Sequence, residues 1–114
     1  MRDTTELDEA VSRLADRLRA APQSRLRQGA AAEGLALARE LAARAQRWEG
    51  TAETRVMPDA GVFAVGDQLA VAGADLAEAL RAAARRGGAS GAALDGELAD
   101  AVASVRATAA RAGL

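Results

Sequence analysis

The chain has no histidine, no cysteine, no tyrosine and no lysine, so all fifteen of its basic residues are arginine. Each absence removes a chemistry. Histidine and cysteine are the usual zinc ligands, and lysine is the usual Schiff-base nucleophile. Without cysteine no disulfide can brace the fold. Aromatic residues make up 2% of the chain, as Trp48 and Phe63 alone. No apolar run approaches the ~20 residues that a membrane span needs. Residues Met1 to Glu9 are polar and acidic, which is not the pattern of a secretory signal. No Walker or dinucleotide-binding motif occurs. The expectation is a non-enzymatic chain with no cofactor, no metal, no membrane contact and no evident small-molecule substrate, cytoplasmic by default.

Charge is balanced at a net −1, with 27% charged residues. That suits a folded domain rather than a polyelectrolyte. It also lacks the strongly basic balance of a nucleic-acid binder.

What is abundant is alanine. It supplies 33 of the 57 hydrophobic residues, beside 13 leucines and 7 valines. Alanine has the highest helix propensity and the smallest apolar side chain. Helices lined with it can approach closely, yet each buries little area. Self-association would add burial to a core with a modest margin.

Four segments repeat apolar residues at helical spacing. In the first, Leu7, Val11, Leu14 and Leu18 form one stripe. Asp3 with Glu6 reads as a capping box, and Pro22 ends this helix or starts the next. The second runs from about Ser24 to Trp48. Leu26, Ala30, Leu37, Leu41 and Trp48 share one face, and Leu35, Ala38 and Ala42 lie on another. Gly29 and Gly34 weaken it slightly, Gly34 also reads as a close crossing point, and Gly50 is placed as a C-terminal cap. Thr51 to Pro58 reads as a linker, and Asp59 as a cap for the third helix. That helix carries Val62, Val65, Leu69, Ala72, Leu76 and Leu80. After the Gly87–Gly91 turn, the fourth carries Leu94, Leu98, Ala101, Val105, Thr108 and Ala112.

The fold class expected is all-α: a single domain over residues 1–114, a small four-helix bundle of two helical hairpins joined by the linker at about 51–58. The alternative is α+β, with a short strand hairpin at 62–71 turning on Gly66-Asp67.

Phe63 and Val71 fall off the stripe of the third helix, so a second apolar face is expected there. Either a partner or the chain's own core would pack against it. With Trp48 and Leu35 they are the candidate interface residues. Arg13, Arg17, Arg19, Arg25 and Arg27 form a basic cluster in which Asp16 is the one acid between residues 10 and 32. It is the candidate patch for an anionic partner. The segment 59–78 holds four acids and no base, and it could meet this cluster within one molecule or across two. Asp67 and Glu78 lie roughly 16 Å apart along a helix, too far to share an ion.

Trp48-Glu49-Gly50 is a W-x-G triplet near the middle of a short helical chain. In this it resembles the WXG100 group of small helical-hairpin proteins exported by type VII secretion. That likeness implies a secretion-associated helical protein. The departures are that Pro22 and the 87–91 turn imply four helices rather than two, and that without tyrosine the group's C-terminal export signal cannot be present. A tryptophan ending a core stripe before a capping glycine accounts for the triplet by itself.

The function expected is a protein–protein interaction or scaffold module that self-associates. The alternative is a small regulator touching nucleic acid through Arg13–Arg27, although nucleic acid is the less expected partner.

Overall fold

The computed structural model describes residues 3–50 and 55–114. Of these, 83% are helical, in three short turns and four long helices: α1 (Thr5–Ala20), α2 (Ala31–Glu49), α3 (Val65–Arg86) and α4 (Gly91–Ala112). The strand hairpin at 62–71 does not form. Val62–Ala64 make one 3₁₀ turn, and the helix follows without interruption. Apolar residues three and four apart continue through Leu76 and Leu80, and that stripe can be buried only as a helix.

The helix ends follow local chemistry, with two departures from expectation. At α1 the Asp3–Glu6 capping box is absent. Asp3 accepts from the Thr5 amide at 2.9 Å, while the Thr4 hydroxyl donates to Asp8 at 2.8 Å. At α3, Asp59 accepts from the Gly61 amide at 2.9 Å in a turn ahead of the helix, not at its cap. Ser90 is a true cap, its hydroxyl oxygen accepting from the Ala93 amide at 3.0 Å. Gly50 and Gly87 close α2 and α3 in the left-handed region, at φ 73° and 72°, where a side chain would be strained.

The second helix is broken where one continuous helix is expected. After Pro22 the chain makes a short turn over Gln23–Arg25 and then a wide turn over Leu26–Ala30. There the Ala31 amide reaches back five residues to the Leu26 carbonyl, and Gly29 sits at φ 144°. Only glycine adopts that backbone without penalty, so it breaks the helix rather than merely weakening it.

Contacts between ends give the helix directions. Thr4 meets Arg81 and Arg19 meets Asp67, so α1 and α3 are antiparallel. Glu33 meets Arg111 and Trp48 meets Glu97, so α2 and α4 are antiparallel. Gly34 faces Val65 and Trp48 meets Arg86, so α2 and α3 are parallel. The connection between α2 and α3 is therefore a crossover rather than a turn between two hairpins. Its described part runs back beside α2: Gln46 exchanges bonds with the Arg55 backbone, and Arg39 donates to the Met57 carbonyl at 2.8 Å.

Helix α3 packs most closely, against α2 and α1, while α4 lies more lightly across α1 and α2 and barely touches α3. The bundle is flat, 46 × 28 × 16 Å. Its core holds Leu7, Leu14, Leu18, Leu37, Leu41, Leu69, Leu76 and Leu80. Leu98, expected in this core, is only half-buried. It borders an open groove between α1 and α4, because α4 is the least enclosed helix. Gly34, Gly66 and Gly73 mark the close crossings. A Cβ on them would come within 2.6 Å of Val65, 2.8 Å of Arg19 and 2.6 Å of Val11, respectively.

Candidate interaction surface

The four candidate interface residues separate into two kinds. Phe63 and Val71 project into water, 69% and 57% exposed, as does Val56 at 70%. Of the two covers expected for Phe63 and Val71, the chain's own core is therefore not one. The inner stripe of α3 fills the core, and the α1 and α2 contacts leave its outer side bare. Leu35 and Trp48 are held by the chain itself. Leu35 is buried. Trp48 is half-buried, and its indole N–H donates to Glu97 at 2.8 Å. Glu97 also receives Arg44, which holds Glu40 at 3.0 Å. Burial acts to lower the Arg44 pKa, but the bonds to Glu40 and Glu97 outweigh it and hold that pKa above its ordinary value. This network ties α4 to α2. Sequence gave no sign of it, since a lone Glu97 on a helix looks like any solvated acid.

Three of the five arginines in the basic cluster are engaged within the chain. Arg19 bonds Asp67 at 2.8 Å and Asp16 at 3.0 Å. The Asp67 bond is the main cause that raises its pKa. This is the expected meeting of the basic and acidic segments, made within one molecule. Arg25 donates to the Gly113 carbonyl at 2.9 Å. The Gln23 side-chain oxygen, in the orientation that satisfies both groups, accepts from Arg27. Arg13 and Arg17 line the α1–α4 groove beside Arg106 and Leu114, next to the Gly113 that Arg25 bonds.

Within the acidic segment, Glu78 is engaged by its own helix. Glu78 accepts from Arg85 at 2.9 Å and Arg81 at 3.3 Å. The Arg85 bond chiefly holds its carboxyl below the usual glutamate range. Among the described residues no group of three or more potential metal ligands is gathered, and no helix is long and apolar enough to cross a membrane.

The concavity nearest Phe63 is a cleft of about 370 Å³ between the start of α2 and the end of the crossover. Leu26, Leu35, Val62 and Val65 form its floor, and Ala32 and Ala36 one wall. Arg27, Arg39 and Asp59 stand around it. The cleft exists because of two local events. The chain breaks at Gly29, which sets the start of α2, and Gly61 at φ 94° turns the crossover into α3. Sequence placed Leu26 and Leu35 on separate faces of one helix, and only the break and the crossover bring both to one hollow. No family model, no curated protein and no solved structure matches this chain.

Proposed function

We propose that this chain is a non-enzymatic helical interaction module that associates with a second copy of itself. One observation carries the reading: Phe63, the chain's one phenylalanine, stands 69% exposed on the 3₁₀ turn that leads into a helix whose inner face is packed in the core. Isolated exposed apolar residues are ordinary. Here Phe63 adjoins Val62 on the cleft floor and leads into the helix that carries exposed Val71. Covering two phenyl groups per dimer would contribute on the order of 3–6 kcal/mol before association costs. That alone falls short of the ~8 kcal/mol that micromolar association needs, so the rest of the interface must supply the difference and the association is reversible rather than obligate. The reading takes the cytoplasm as its compartment. Nucleic acid is the less favoured partner, because Arg19, Arg25 and Arg27 are engaged within the chain.

Sedimentation equilibrium of the wild type beside Phe63→Glu and Val71→Glu tests this. The wild type should reach dimer at tens of micromolar, and Phe63→Glu should weaken it. A wild type that stays monomeric at high micromolar concentration would retire the reading.

A further inference from the structure

We infer that Phe63 of one copy seats in the cleft of the other, so that each copy gives one ring and receives one. The inference rests on the self-association reading and adds the receptor, the occupant and the symmetry. Knob and hole are neighbours. Val62 and Val65 line the cleft, and Phe63 lies between them in sequence with its ring turned to solvent. A two-fold interface requires this, because the same patch must offer both halves of the fit. An interface of opposite faces would build an open chain instead.

Size and charge agree. A cleft of about 370 Å³ is ample for a phenyl ring, and its floor is apolar. Its surround carries both signs, with Arg27 and Arg39 against Asp59. Such a surround is self-complementary under a two-fold axis, because the arginines of one copy can face the aspartate of the other. The Arg39 guanidinium is anchored through Nε to the Met57 carbonyl, which holds its plane at the mouth. A guanidinium there can also lie over an incoming ring face. Leu35, buried in the isolated chain, would touch the partner's ring through the cleft floor.

The test uses variants of the full chain. Ala36 is an exposed wall residue, so Ala36→Trp fills the cleft with little effect on folding, as circular dichroism will verify. Ala32→Trp serves as a second filling variant should the first lose helix. Phe63→Glu and Ala36→Trp should each raise the dimer dissociation constant at least about tenfold. An equimolar mixture of the two should then associate more tightly than either alone, because a mixed pair regains one intact ring-in-cleft contact. If the filling variants dimerise like the wild type, the cleft is not the receptor and the inference falls, while self-association stands. If both weaken but the mixture gains nothing, Phe63 and the cleft do not meet across copies, and the inference falls equally. A monomeric wild type removes the self-association reading and the inference with it.

Discussion

Gly73→Ala and Gly96→Ala add the same methyl group to the interior of a helix and should move stability in opposite directions. Replacing glycine by alanine in a helix is worth about 0.8–1 kcal/mol in backbone terms. At Gly96, exposed on α4, a Cβ meets nothing within 4 Å, so this gain should appear almost whole. At Gly73 a Cβ would lie 2.6 Å from Val11 Cγ1, 3.0 Å from Cγ2 and 3.2 Å from Cβ. Ordinary carbon contacts are about 3.5–4.0 Å. Val11 cannot turn away, because both branches and the branch point are in contact, and a helical valine keeps one rotamer about 90% of the time. Helix α1 must then shift off α3. Overpacking of this kind costs about 1–3 kcal/mol, which offsets the backbone gain and leaves a net loss of up to ~2 kcal/mol. The gap between the two variants should be about 1–3 kcal/mol, read from urea and thermal unfolding by circular dichroism. Adding Val11→Ala to Gly73→Ala should recover the backbone gain, giving a positive coupling in the double-mutant cycle. If Gly73→Ala stabilises as much as Gly96→Ala, the close α1–α3 crossing is not present in solution.

Other substitutions probe separate parts of the bundle. Leu41→Ala and Leu76→Ala should each cost about 2–5 kcal/mol in urea unfolding, since both side chains are fully enclosed. Losses below about 1 kcal/mol at both sites would mean a looser core than described. Glu97→Ala should cost about 1–3 kcal/mol by leaving Arg44 and the Trp48 indole N–H short of an acceptor. Emission from Trp48 should move to the red; an unchanged spectrum would argue against the Trp48–Glu97 bond. Glu78 has its pKa lowered in the folded chain, so its contribution is present at neutral pH and lost as pH falls below the ordinary glutamate range. The melting difference between wild type and Glu78→Gln should therefore shrink on acidification. Because Glu78 is exposed, the effect should be small and should weaken with salt.

The helices were legible because their stripes are periodic. Leu7, Val11, Leu14 and Leu18 repeat at spacings of four, three and four, and each is buried. Gly50 and Gly34 were legible because their roles are local, one ending a helix and the other allowing a close approach. The path between α2 and α3 was not, because a segment with turn-forming residues reads alike whether it reverses the chain or carries it back along a helix. The difference lies in pairings such as Arg39 with Met57 and Gln46 with Arg55, which follow no spacing rule. The cleft was hidden for the same reason. Phe63 and Val71 were recognised as lying off the stripe, but periodicity cannot say whether such a face is covered. Thr108, expected on the apolar stripe of α4, is buried as expected, with its hydroxyl taken up by Arg111 at 3.1 Å.

The parallel course of α2 and α3 has a consequence for cooperativity. Neither half of the chain contains a closely packed pair of its own: α3 and α4 barely touch, and the principal partners of both α1 and α2 lie in the second half. The leucine stripes of α1 and α2 therefore stay open to water until α3 arrives between them. Contacts such as Thr4 with Arg81 join residues 77 positions apart. Bringing such distant segments together incurs loop-closure entropy before any packing is gained. A fragment ending at Gly50, or one beginning at Arg55, should stay largely unfolded alone. Mixed together, the two should regain helix only as they bind each other. The chain should also fold more slowly than up-and-down bundles of its size, whose contacts are more local.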